Sequence, residues 1–308
     1  MSARKHLTSL LRGILQWLDK GATDSVPESS SSDSSPVPFD NSYPWLVTNF
    51  VRLMQDPICS QKPQYIYGVL QGAALAKVLG LQRVSVLEFG VASGAGLLSM
   101  EQIAERCEDL VDIKIDVYGF DTGTGLPRPL DYRDCPQKWL EGYYPLDEEQ
   151  LSKRLRRASL KLGLIKDTLP AFLQSCPAPI AFVAVDLGFY SSTTDALKVF
   201  DADNGLLLPR TPCSFRCSIG KDYCEYTGEL LAVSEFNSSH IRRKLQAIRT
   251  LSLFFPYPFN CMWWIEMMYT FHSFDHPLYI SPESLHQPAV IDIDDNEIYK
   301  PVRQTITP

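Results

Sequence analysis

Three acids sit at the ends of apolar runs, and each has a chemical use. Glu88 stands near the end of residues 84–89 and is followed by Gly90-Val91-Ala92-Ser93-Gly94-Ala95-Gly96. Small residues let a ligand come close to the backbone. The start of the helix that follows offers free N–H groups to a carboxylate, and Glu88 itself suits an amino group. Asp121 ends Tyr118-Gly119-Phe120-Asp121, where an acid can accept from both hydroxyls of a ribose. Asp186 ends a third apolar run. His272 and His276, in Phe271-His272-Ser273-Phe274-Asp275-His276-Pro277, add side chains that titrate near neutrality. Either could take a proton from a substrate hydroxyl. The competing use for both is structural, bonding backbone near Pro277.

The elements that must position these residues follow from periodicity. Residues 43–54, 64–79, 97–106 and 193–200 read as helices, and residues 84–89 and 113–120 as strands leading into glycine-containing turns. Residues 180–187 are apolar almost throughout, as a strand covered on both faces requires. Alternating strand and helix predicts an α/β fold: a mostly parallel sheet, helices on both faces, right-handed crossovers. In such sheets ligands bind beyond the carboxyl ends of the strands, where Glu88, Asp121 and Asp186 are placed.

Two cofactor classes fit a strand, glycine turn, helix, strand and acid. The dinucleotide frame G-x-G-x-x-G falls on Gly90, Ala92 and Ala95, with two of its three glycines replaced. The frame acid-x-G-x-G-x-G, which S-adenosylmethionine enzymes prefer, falls on Glu88, Gly90, Ala92 and Gly94, with one replacement. Glu88 has no evident dinucleotide partner. A tight turn that binds nothing is the blander alternative. Further stretches resolve the choice: KDTLPAFL, VDLGFYSSTTDALKVF, LLPR, EYTGELLAVSEFN and FHSFDHPLY, together with VSVLEFGVASGAGLLSMEQIAE and VYGFDTGTGLPRPLDYRDCPQKWLEGYY. On these the chain resembles bacterial class I S-adenosylmethionine-dependent methyltransferases related to the macrocin-type sugar O-methyltransferases. The resemblance spans residues 64–279, about two-thirds of the chain.

The resemblance implies a Rossmann-like methyltransferase fold, S-adenosyl-L-methionine as cofactor and O-methylation of a small molecule. It puts Glu88, Gly90, Ala92 and Gly94 at the methionine end, and Asp121 and Thr122 at the ribose. Lys166 and Asp167 would lie near the adenine, with a helix N-cap as the competing role for Asp167. Asp186 and His272 are the catalytic candidates. Two departures stand out. The family's fourth strand reads D-L-D-Y-Y-S-S-T, and here its second acid is Gly188. A following C-Y-F-D-D-I becomes Cys213-Ser214-Phe215-Arg216-Cys217-Ser218-Ile219. The resemblance implies that acids in this neighbourhood bind magnesium in related sugar O-methyltransferases; magnesium needs hard oxygen ligands, and Arg216 would repel it, so no metal is expected. The alternative function is a catalytically silent methyltransferase-like binding protein that has lost the acidic site.

Composition bounds the rest. With 45% hydrophobic and 21% charged residues most of the chain should pack around a core. A net charge of -7 argues against a nucleic-acid surface spread over the protein. The clusters Lys153, Arg154, Arg156, Arg157 and Arg242, Arg243, Lys244 read as solvated faces of helices. The eight cysteines are scattered and contain no CxxC pair, so free thiols, a cytoplasmic location and no membrane span are expected. The aromatic run 254–264 reads as core or pocket wall. Residues 1–22 read as an amphipathic helix, 23–42 as a Ser/Pro-rich disordered linker, 43–290 as the S-adenosylmethionine-dependent methyltransferase-like domain and 291–308 as a tail. The expected partner is a small-molecule acceptor, and a homo-oligomer stays open.

Overall fold

A computed structural model describes residue 39 and residues 41–218 and 224–280. The expectations for residues 1–22, for most of 23–42 and for 291–308 lie outside the described residues. The first helix, α1 (Tyr43–Leu53), starts where the Ser42 hydroxyl accepts from the Trp45 N–H at 3.1 Å, with Pro44 in the first turn. Next, α2 (Pro63–Val78) begins on a proline. Its predecessor Lys62 is held away from helical geometry (φ -132°, ψ 70°), as a residue before proline must be.

Strands and helices then alternate as β1 (Arg83–Phe89), α3 (Ala95–Val111), β2 (Lys114–Asp121), a short α4 (Glu148–Ser152), β3 (Ser159–Leu162), α5 (Ile165–Gln174), β4 (Ile180–Val185), α6 (Tyr190–Leu197), β5 (Arg210–Phe215), α7 (Gly228–Ser239), β6 (Arg243–Ala247) and β7 (Met268–Ser273). The seven strands form one sheet in the order β3-β2-β1-β4-β5-β7-β6. β7 runs antiparallel to both its neighbours, and the other described pairings are parallel. This is the expected α/β architecture. Four strands escape the periodicity reading: β3 (SLKL) and β6 (RKLQA) are short and little buried, and β5 (RTPCSF) and β7 (MYTFHS), though mostly buried, mix polar residues into their runs.

Both faces are covered. Val84, Val86 and Val117 pack with α1, α2 and α3 around Phe50, Ile66 and Met100. Leu87, Phe89, Val183 and Phe215 pack with α5, α6 and α7 around Phe172, Phe200 and Phe236. Every residue of β4 is buried. The aromatic run divides: Phe255, Phe259 and Trp264 are core, with Trp264 stacked on Phe50 at 5.0 Å, while Phe254, Tyr257 and Trp263 are exposed. The basic clusters are not helix faces. Arg156 and Arg157 precede β3 and pair with Glu105 and Glu108 of α3, while Arg243 and Lys244 lie on β6. No helix among the described residues is long and apolar enough to cross a membrane.

Strand order reverses between β1 and β4, which are neighbours although distant in sequence. The loops leaving them must part there, and a crevice opens at their carboxyl ends.

Candidate functional site

That crevice is a cavity of about 370 Å³ lined by the ends of β1, β2, β4 and β5. Its floor is the turn after β1. The Gly90 N–H donates to the Phe120 carbonyl at 2.9 Å, and Gly90 has φ +90°. A Cβ there would lie 2.2 Å from the Asp186 carbonyl oxygen, so only glycine lets β1 turn against the end of β4. Gly94 also has a positive φ and starts α3 without a side-chain cap. Ala95 and Gly96 of the first turn line the cavity, so the helix start offers N–H groups to an anionic ligand group.

Glu88 is 1% exposed and lines the same cavity. Its Oε1 accepts from the Tyr65 hydroxyl at 2.7 Å, whereas its Oε2 is buried without a partner. Burial pushes the carboxyl up to about 8, and Asp186 and Asp121 add to the rise while Lys62 and Tyr65 oppose it. Gly96 packs directly on it: a Cβ there would sit 1.9 Å from Oε1. A buried carboxyl with one open oxygen fits a cationic donor such as an ammonium group, which would favour its ionised form.

Asp121 does a different job. Its Oδ2 accepts from the Val91 and Ala92 N–H groups at 2.9 and 3.0 Å, and its Oδ1 from Gly123 at 2.8 Å. A carboxylate has about four lone-pair sites. Three here bind backbone, so Asp121 chiefly clamps the turn after β1 and could accept from one further donor. The bidentate ribose role read from the sequence does not match this geometry. Thr122 lines the cavity, but its hydroxyl donates to the Gly125 carbonyl at 2.5 Å.

At the other wall, Asp186 follows β4. Its Oδ2 lies 3.9 Å from Lys62 Nζ, and burial raises its carboxyl while Lys62 and Arg216 pull it down. Lys62 and Arg216 line the cavity too. Gly188 has φ +71°, and a Cβ there would sit 3.0 Å from the indole nitrogen of Trp139. The conformation and the ring together disfavour a longer side chain at this point. Among the described residues no group of three or more His, Cys, Asp or Glu side chains is arranged to hold a metal.

Sequence reasoning did not single out Glu229. It is 1% exposed, and it ties the two loops that flank Asp186 and Arg216. Its Oε1 accepts from Leu187 and Gly188 (3.1 and 3.3 Å), and its Oε2 from Cys217 at 2.7 Å. Burial pushes its carboxyl up to about 8 against those three donors. The only sequence sign is an acid just after Thr227-Gly228 at a helix start, which normally reads as a dipole-compensating residue.

The roof is the long connection from β2 to α4. Leu126, Pro127, Trp139 and Tyr144 from it line the cavity. Asp134, 1% exposed, anchors it by accepting from the Leu130 N–H and from the N–H and hydroxyl of Ser191 at the start of α6. The indole N–H of Trp139 is buried without a partner.

Three sequence candidates lie elsewhere. Asp167 is exposed in the first turn of α5, is not its N-cap, and does not line the cavity; Gly163, Leu164 and Ile165 just before it do. His272 pairs with Arg210 at the opposite end of β5, which puts it about 17 Å from the strand's cavity end at ~3.3 Å per residue. It bonds Tyr279 at 2.9 Å and stacks on Phe274. His276 bonds the Asn204 carbonyl. The catalytic assignment of His272 is therefore corrected: β7 is antiparallel, so its carboxyl end points away from the cavity.

No family model matches the chain, and no curated protein does. Among solved structures, the O-methyltransferase NovP is 18% identical over 60% of this chain and 76% of its own, with a TM-score of 0.44. A structure of CalS11, a calicheamicin methyltransferase, is 20% identical over 68% of this chain and 91% of its own, with a TM-score of 0.43. An apo structure of CalS11, described as a TDP-rhamnose 3'-O-methyltransferase in calicheamicin biosynthesis, is 20% identical over 77% and 86%, with a TM-score of 0.35. These likenesses are weak, and the fold described above rests on the chain's own strand order.

Proposed function

We propose that this cavity binds S-adenosylmethionine and that the chain transfers the methyl group to an oxygen of a small acceptor. The observation that carries the reading is the buried Glu88 carboxylate, with one oxygen unpartnered, inside a cavity at the point where strand order reverses. The fit extends along the cavity. Glu88 Oε2 suits the amino group, and the uncapped start of α3 suits the carboxylate. Asp121 has room for one ribose hydroxyl. Leu164 and Ile165 offer an apolar flank for a flat base. The sequence resemblance points the same way.

The cofactor supplies an already activated methyl group, so the protein's work is alignment and proton handling. Alignment alone can contribute about 7–11 kcal/mol. Trp139, Tyr144 and Leu126 roof the site and limit water. Asp186 is the group placed to accept the acceptor's proton. Its raised carboxyl is a better base than an exposed aspartate.

Calorimetry with S-adenosylmethionine and S-adenosylhomocysteine tests the reading. Both should bind wild-type protein and bind Glu88→Gln more weakly. Well-folded protein that binds neither ends the proposal. Binding without a methylated product from any hydroxylated acceptor leaves the silent binding protein, the reading that Gly188 and Arg216 favour.

A further inference from the structure

We propose that the acceptor carries a carboxylate or phosphate beside its reacting hydroxyl, held by Arg216 and Lys62; this rests on the methyl-transfer reading above. The wall around Asp186 has two cations and one acid to face a ligand. Lys62 Nζ is 3.9 Å from Asp186, and Arg216 acts on the same carboxylate. The other two buried acids do not balance the second cation. Glu229 is held by three backbone N–H groups, and Glu88 is the acid assigned to the cofactor's amino group.

Arg216 is shaped for this task. Among the described residues its guanidinium makes no hydrogen bond or ion pair, and it lies over the Trp263 ring at 5.1 Å from the centroid. Its position over the ring restrains the guanidinium while leaving its donors available to a carboxylate or phosphate, which a guanidinium can bind bidentately. Restraining it beforehand lowers the cost of ordering it on binding. Lys62 is restrained as well: Pro63 limits its backbone, and its Nζ lies 5.2 Å from the Tyr65 centroid. The same surplus of positive charge opposes a divalent cation beside Asp186. An oxyanion would therefore occupy the place that a metal takes in the family this sequence resembles, orienting the neighbouring hydroxyl toward Asp186.

The test compares matched probes by calorimetry, on free protein and on the S-adenosylhomocysteine complex. The pairs are 2-hydroxybenzoate with 2-hydroxybenzamide for the carboxylate arm, and 2-hydroxyphenyl phosphate with catechol for the phosphate arm. At least one anion should bind about tenfold more tightly than its neutral twin, as a charge-assisted contact requires. The preference should weaken with added salt. It should vanish in Arg216→Gln and be partly kept in Arg216→Lys, with both variants still binding S-adenosylhomocysteine. Equal binding within both pairs overturns the proposal, and so does a preference that survives Arg216→Gln. Because Arg216 and Lys62 belong to the chain, an anion preference in free protein that fails to bind S-adenosylhomocysteine would reject the cofactor reading separately.

Discussion

On the β1–β2 side of the cavity, Asp121 accepts three backbone N–H groups while Glu88 keeps one oxygen open. On the β4–β5 side, Glu229 accepts three backbone N–H groups while Asp186 faces Lys62 and Arg216. Each side thus uses one acid to fix its loops and leaves another facing the cavity, where the proposed reading has it meet a ligand. The sides differ in what surrounds the second acid. Glu88 is enclosed and suited to a cation. Asp186 sits among cations, so its side of the cavity is suited to an anion. Substituting the two kinds of acid should fail in different ways: ligand-facing acids in function, loop-fixing acids in stability.

The largest effect is expected at Asp186. Asp186→Asn keeps the shape and removes the base, and methyl transfer should slow by about 10²–10⁴-fold, the usual worth of general-base catalysis. Cofactor affinity should stay as it was. Single-turnover rates and calorimetry read the two separately, and an unchanged rate would remove Asp186 from the chemistry. Glu229→Ala should show the opposite pattern. It strands three backbone N–H groups, one to three kcal/mol each when buried, so urea unfolding should reveal a loss of about 3 kcal/mol or more. A loss below about 1 kcal/mol would mean that the loops around Asp186 and Arg216 hold their shape without it.

Glu88→Gln sharpens the contrast by separating function from stability. The amide can still accept from the Tyr65 hydroxyl but cannot pair with a cation. S-adenosylmethionine should bind about 10- to 100-fold more weakly, the worth of a hydrogen bond to a charged group. The free protein should be as stable or more so. Burial raises the Glu88 carboxyl from 4.5 to about 8. Between those values the folded chain keeps a proton that the unfolded chain releases, so wild-type stability falls as pH rises through that window. The variant lacks this contribution. Its advantage in Tm should grow from pH 5 to pH 8 and level off above. A Tm difference that is flat with pH would contradict an enclosed Glu88.

The β1–β2 side was legible in the sequence because local constraints write it there. Glu88, Gly90 and Gly94 lie within seven residues, and the chain turn, the close approach and the helix start all act on that one segment. The roles of Lys62, Trp139 and Glu229 were not legible, since each depends on segments that the sheet order alone brings together; Arg216 stood out in the sequence as a cation where an acid was expected, and only the fold decides that it lines the cavity. His272 shows the same limit. Its residue type suited the chemistry, but the direction of β7 decides where it goes, and a short half-polar strand does not announce its direction. For Asp121, the position was readable but its three backbone donors were not, because they come from Val91, Ala92 and Gly123 folding back on it.

The smallest effect is expected at Ala92, where the glycine frame is interrupted. Ala92 has φ +47°, a left-handed conformation that costs a residue with a Cβ roughly 1–2 kcal/mol. Glycine would relieve that strain but would gain freedom in the unfolded chain worth about 0.4–1 kcal/mol. The difference favours Ala92→Gly by about 0.5 kcal/mol, a rise in Tm of a degree or two for a domain of this size. Cofactor affinity should hardly change, because the Ala92 N–H that Asp121 accepts is present in either residue. Ala92→Val should do the reverse. A β-branched side chain is a true outlier at positive φ, so the turn should shift, the Asp121 clamp should loosen, and both stability and S-adenosylmethionine affinity should fall together. If Ala92→Val binds the cofactor as wild type does, the turn after β1 tolerates distortion, and the loop-fixing role assigned to Asp121 is wrong.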